Sequence, residues 1–153
     1  MRFLRRALVG GSVGWALALP SATYVASLSH PTVGAYLLGL GVYFVGSVAC
    51  HQLDARSFHL WEHQMPVCAR CTGIYVGAAL AAVAASVAQA FRPVAQVFRP
   101  ATTRTVLALA ALPAVATLVF EWTTGVTPSN AARAATGILL GAAVAWLAIY
   151  EIQ

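Results

Sequence analysis

Uncharged, apolar stretches of roughly 17–22 residues recur along this chain, and no other feature limits its fold as strongly. At 1.5 Å per residue, such a stretch in helical form covers about 30 Å, the thickness of the hydrocarbon layer of a bilayer. Five stand out, at positions 7–28, 31–50, 71–91, 105–120 and 134–150. Charged residues make up 8% of the sequence and hydrophobic ones 60%, whereas a soluble domain carries about a quarter charged residues. The expectation is therefore an all-α fold, a polytopic membrane helix bundle of about five transmembrane helices, with residues 1–153 forming one integral membrane domain. The fourth run is the shortest and contains Pro113. The first follows Arg2, Arg5 and Arg6 as a signal peptide would, but its apolar stretch exceeds a signal-peptide core, so a retained helix is expected.

All nine basic residues are arginines, and the formal net charge is +5. They stand singly or in short groups beside the apolar runs, which fits topology setting by flanking charge and gives no nucleic-acid patch. If all five runs cross, Arg2, Arg5, Arg6, Arg56, Arg70 and Arg133 share one side, and Arg92, Arg99 and Arg104 lie opposite. The positive-inside rule then makes the N-terminus cytoplasmic and puts the segments 50–71 and 121–133 on the same cytoplasmic face. A bacterial inner (cytoplasmic) membrane is the expected setting, with the lipid bilayer as the principal partner and no nucleic acid.

The sequence repeats itself once. Thr72-Gly73-Ile74-Tyr75-Val76-Gly77-Ala78-Ala79 returns as Thr136-Gly137-Ile138-Leu139-Leu140-Gly141-Ala142-Ala143, each copy following an arginine. Both contain Gly-x-x-x-Gly, which bares the backbone to a second helix. Gly73, Gly77, Gly137 and Gly141 are thus expected where the third and fifth spans meet. The same faces would also serve a homodimer.

All three cysteines and three of the four histidines fall within positions 50–71. Pro66 suits the first turn of a helix, which would put Cys68 and Cys71 on one helical face near free backbone N–H groups and Arg70. Thiols so placed are acidic; they bind soft or borderline metals and exchange disulfides. A tetrahedral zinc site would take Cys50, Cys68 and Cys71 with one imidazole, either His51 or His63. His51 adjoins Cys50, and the two can share an ion only if the helix before them has unwound. His59-Leu60-Trp61-Glu62-His63 also fits H-x-x-E-H, an inverted zinc-peptidase pattern with Glu62 as base and Glu121 as third ligand. Three matching letters in five make that a weak signal.

Cys50-His51-Gln52, Arg56-Ser57-Phe58 and Pro66-Val67-Cys68-Ala69-Arg70-Cys71-Thr72-Gly73-Ile74-Tyr75 with Gly77 resemble the signature of a family of small bacterial integral membrane proteins, catalogued as a domain of unknown function. Ser129-Asn130, Arg133 and Thr136-Gly137 resemble its second motif. Glu121-Trp122-Thr123-Thr124 departs from it, standing where the family often carries an aspartate followed by Thr-Gln. The resemblance implies a multi-helix membrane protein and no particular reaction. His51 belongs to the signature while His59 and His63 do not, which favours His51 as the fourth ligand.

Gln52, Arg56, Ser57, Arg70, Asn130 and Arg133 converge on the same expected face, a set suited to an anionic lipid or a carboxylated metabolite. Three functions compete. One is a zinc-bearing membrane protein; another is a thiol–disulfide or quinone-linked oxidoreductase using the C-x-x-C pair; the third is a small transporter or lipid-binding module. No substrate follows from any of them.

Overall fold

The computed structural model describes residues 2–90 and 103–151. Five helices carry the chain: α1 (Arg2–Ser27), α2 (Val33–Ala49), α3 (Ala69–Ala90), α4 (Thr103–Thr124) and α5 (Asn130–Glu151). Arg92 and Arg99 lie outside the described residues. Four helices (α1, α3, α4 and α5) are long and apolar enough to cross a membrane, whereas α2, at 17 residues, is shorter. The architecture is an all-α membrane helix bundle. Local chemistry sets the helix ends. Thr32 caps α2 by accepting from the Ala35 N–H, and the Ser129 hydroxyl accepts from the Ala132 N–H at the start of α5. Gly125, at φ 70°, closes α4 by donating its N–H to the Glu121 carbonyl. Pro113 lies inside α4 without ending it, as neighbouring helices permit in membrane bundles.

Between α2 and α3 the chain is neither irregular nor helical. After a short 3-10 turn (Asp54–Arg56), β1 (Ser57–Leu60) and β2 (His63–Cys68) pair antiparallel. Trp61 and Glu62 make the two-residue turn, both with positive φ (51° and 63°), which matches the twist of the strands it joins. Pro66, expected in a helical first turn, is instead buried in β2, and α3 begins at Ala69.

At the centre of the bundle α3 and α5 run parallel in backbone contact. A methyl group on Gly73 would strike the Ala134 carbonyl, and one on Gly77 the Ile138 carbonyl. From the other side, Gly137 faces the Arg70 carbonyl and Gly141 that of Ile74. Four glycines thus form a two-sided seam in which each helix occupies the space the other's side chains would take. Helix α1 packs along α3, and α4 along α5.

The direction of α1 carries a correction. Val9 packs against Ala82, Ala85 and Ile149, near the ends of α3 and α5. Farther along, Trp15 meets Tyr75 edge to face at 5.9 Å, and Leu19 sits against Cys50, Met65 and Val67. Helix α1 is therefore antiparallel to α3, and its N-terminus lies at the end of the bundle remote from the cysteines. The expected sharing of one face by the N-terminus and the 50–71 segment does not hold. The physical reason is α2, which packs on the last turns of α1 and on β2 and does not run back along the bundle. Gly46 lets it lie directly on the Pro66 carbonyl, and Val33, Leu37, Leu38, Phe44 and Val48 remain exposed.

Candidate metal centre and the adjoining cavity

Three elements deliver the site. Helix α2 stops at Ala49, and Cys50, just beyond it, is extended (φ −148°, ψ 143°). Cys68 ends β2, and Cys71 lies in the first turn of α3. The three sulfur atoms lie within 4.8 Å of one another. Sulfurs sharing a tetrahedral zinc at about 2.3 Å stand about 3.8 Å apart, so a small rotation of the side chains completes the approach. All three thiols are free, Cys50 buried and the other two half-buried. The Cys68 N–H donates to the Cys50 sulfur at 3.2 Å. The hydrogen bond from the Cys71 thiol holds the Cys68 thiol well below its usual range, down to about 5, although burial pushes the other way. The Cys71 N–H, the Cys50 thiol and the Arg70 N–H add to the lowering. Cys68 is thus the natural thiolate of the trio.

The histidines separate. His51 is exposed and lines the cavity that the cysteines also line. The chain has left the helix before it, so the divergence that a regular helix imposes on neighbours does not apply. His63 opens β2, five residues from Cys68, about 16 Å along an extended strand. Its Nδ1 lies 2.8 Å from the Trp61 carbonyl oxygen. It cannot be the rival ligand. His59 lies 2.8 Å from the Asp54 carboxylate. With His59 in β1, Glu62 in the turn and His63 in β2, the H-x-x-E-H run is a hairpin and not a helical ligand pair.

Glu121 also has another role. Its side chain is 6% exposed; Oε2 meets Arg133 at 2.8 Å and Oε1 meets Arg56 at 2.5 Å. One carboxylate therefore joins the end of α4, the start of α5 and the segment before β1. Nothing in the sequence pairs these three residues; only the helix packing does.

The remaining polar residues divide by task. The Gln52 amide donates to the Pro66 and Tyr43 carbonyls, and the Gln52 main-chain carbonyl accepts from Gln64. Ser57 is buried; its hydroxyl donates to the Leu53 carbonyl and accepts from Gln64. Asn130 donates to the Ser57 carbonyl and so ties α5 to the hairpin. These three brace the hairpin. Arg56, Arg70 and Arg133, by contrast, line a cavity of about 350 Å³ together with Cys50, His51, Gln52, Leu53, Cys68, Cys71 and Leu118.

No solved structure matches this chain. Two curated relatives do, both uncharacterized and both archaeal. A Methanocaldococcus jannaschii protein is 43% identical over 56 residues, 37% of this chain and 36% of the relative. A Methanothermobacter thermautotrophicus protein is 55% identical over 29 residues, 19% of this chain and 26% of the relative. The chain thus spans about a third and a quarter of the lengths of these relatives. Both of these relatives are archaeal, whereas the resemblance implied a bacterial family. The model of the family described as "Predicted membrane protein (DUF2085)" matches residues 50–147, from the first cysteine to near the end of α5, and the chain belongs to that family.

Proposed function

We propose that this chain is a multi-pass membrane protein whose function is carried by a three-cysteine metal centre, with zinc as the metal. The observation that carries the reading is the gathering of Cys50, Cys68 and Cys71 sulfurs within 4.8 Å from three separate elements. Thiolate donors in a closed tetrahedral set select zinc among the common divalent ions. His51, freed from α2 and facing the same cavity, supplies the fourth donor by rotation of its side chain.

Orientation follows from the arginines once α1 is antiparallel to α3. Arg2, Arg5, Arg6 and Arg104 belong to the end remote from the cysteines, and Arg92 and Arg99 fall in sequence between the helix ends found there. Arg56, Arg70 and Arg133 belong to the cysteine end. The positive-inside rule again makes the N-terminus cytoplasmic, but the cysteine site now faces the opposite side of the cytoplasmic membrane. Thiols persist poorly outside the reducing cytosol, and ligation to a metal protects them.

Elemental analysis of the chain purified in mild detergent tests this reading. One equivalent of zinc, lost from Cys50→Ser, Cys68→Ser and Cys71→Ser alike, supports it; metal that persists in all three variants overturns it. A second reading rests on the hydrogen bond between the Cys68 and Cys71 thiols: a thiol–disulfide oxidoreductase with Cys68 as the attacking thiolate. A reversible Cys68–Cys71 disulfide in metal-free protein as isolated would put that reading first.

A further inference from the structure

Arg133 is 3% exposed and gives one arm of its guanidinium to Glu121, yet its Nε has no hydrogen-bond partner among the described residues. Arg70 is half-buried and shows the same gap at one atom. One of its terminal nitrogens donates to the Thr117 hydroxyl at 3.0 Å, and its buried Nε meets no acceptor among the described residues. A buried donor left unmatched is costly, and the two side chains that carry these idle donors border an open cavity where an acceptor can stand. Both residues line the cavity next to the cysteines, as does Arg56.

The charges point the same way. Among the described residues no carboxylate lines this cavity; Glu121 stands behind its wall, with Oε2 bonded to Arg133 and Oε1 ion-paired with Arg56 without a hydrogen bond. Of the other acidic residues, Asp54 pairs with His59, Glu62 sits in the hairpin turn and Glu151 ends α5. Three guanidinium groups against one carboxylate leave two positive charges. Arg70 comes from α3, Arg133 from α5 and Arg56 from the segment before β1, so donors approach from three directions. That arrangement suits a tetrahedral oxyanion better than a planar carboxylate, which a single guanidinium fork already matches.

We propose that this cavity binds a phosphate oxyanion, with Arg70 and Arg133 as its principal donors and Arg56 closing over it. The volume of about 350 Å³ holds a phosphate group with a small substituent. The site lies where α3 and α5 begin and α4 ends, at the depth of lipid headgroups, and Leu53 and Leu118 give its wall an apolar portion. The singly charged phosphodiester of an anionic phospholipid and free inorganic phosphate share the chemistry that the arginines read. The binding step stands apart from the metal reading, since the arginine donors are unmatched with or without an ion.

Binding is tested on the full chain in mild detergent, with metal content measured on the same sample. Inorganic phosphate is titrated by calorimetry, and nanodiscs of phosphatidylcholine with or without phosphatidylglycerol are compared by native mass spectrometry for retained lipid. Saturable phosphate binding without selective lipid retention assigns the site to a free anion; selective retention of phosphatidylglycerol, displaced by millimolar phosphate, assigns it to a headgroup. Either result supports the proposal. Arg70→Gln should weaken the bound species about tenfold or more, the equivalent of losing one charge-assisted hydrogen bond, while leaving thermal stability and metal content near wild type. Arg133→Gln also removes the partner of Glu121, so Arg70→Gln and Arg70→Lys carry the test. No binding of either probe, or binding unchanged in Arg70→Gln, overturns the proposal. Binding in a sample free of metal leaves it intact and tells against the metal centre alone.

Discussion

The carboxylate of Glu121 meets the guanidinium of Arg133 at 2.8 Å, with 6% and 3% of the two side chains exposed. Arg56 reaches the other carboxylate oxygen from outside the bundle. Removing the carboxylate would leave a buried cation with no counterion, a change that costs about 3–5 kcal/mol when one member of a buried pair is lost. Glu121→Gln should therefore lower the thermal unfolding midpoint in detergent sharply. Arg56→Gln should lower it far less, because the Arg56 side chain is 42% exposed and its pairing is screened by water. Equal effects of the two changes would contradict the central position given to Glu121.

The glycine seam predicts a graded response to a single methyl group. Gly77→Ala and Gly141→Ala push a Cβ into the carbonyls of Ile138 and Ile74 and should cost about 1–3 kcal/mol. Gly41→Ala, on α2, meets nothing within 4 Å and should be neutral or slightly stabilising. Unfolding midpoints of the three alanine variants decide the matter.

Metal and fold should fail together. Cys68→Ser and Cys71→Ser each remove a sulfur donor and a link between β2 and α3, so zinc content and thermal midpoint should drop in parallel. His63→Ala should change neither, since that ring lies at the far end of β2.

Thiol reactivity in metal-free protein should follow an unusual pH profile. An ordinary thiol loses thiolate, and so alkylation rate, about tenfold per pH unit below its pKa near 8.5. Cys68, held down to about 5, remains thiolate throughout pH 6–8. Its iodoacetamide modification, followed by peptide mass spectrometry, should be nearly flat across that range and should fall only as pH drops through 5. A tenfold decline from pH 8 to 7 would show that Cys68 is an ordinary thiol.

Topology separates two arrangements of the chain. With α1 as one crossing and the cysteine site outside, reporters fused after residues 28 and 62 should both read external, and one at the C-terminus should read cytoplasmic. If α2 crossed, the reporter after residue 62 would read cytoplasmic.

The membrane helices were legible because hydrophobic run length reports bilayer thickness directly, and the fourth run extended through Pro113 to α4 as neighbouring helices allow. Clustering of Cys50, Cys68 and Cys71 was likewise visible, because few residues other than cysteine make a short segment so chemically distinct. The hairpin was not. His63-Gln64-Met65-Pro66-Val67-Cys68 lacks the usual Asn-Gly or Asp-Gly turn before it, and Trp61-Glu62 adopts positive φ with side chains that rarely accept it. The fate of α2 was hidden for a different reason. Its composition is that of a membrane span, and only its packing on α1 and β2, through Gly39 and Gly46, takes it away from the bundle. Glu121 was equally invisible as a counterion, because its partners Arg56 and Arg133 are 65 and 12 positions away.

The seam between α3 and α5 also restricts how the chain can change in length. Cys71 and Arg70 precede Gly73 on one helix as Arg133 precedes Gly137 on the other, and the glycines interlock with the partner backbone. Inserting one residue between Cys71 and Gly77, or between Arg133 and Gly141, would turn everything upstream by about 100° relative to the interlocked part. The sulfur and guanidinium groups would then face away from each other while the helices stayed paired. Insertions and deletions should therefore be absent from those two stretches in related chains and gather instead at the hairpin turn and between helices. The glycines act as a register mark, keeping two distant parts of the sequence in phase.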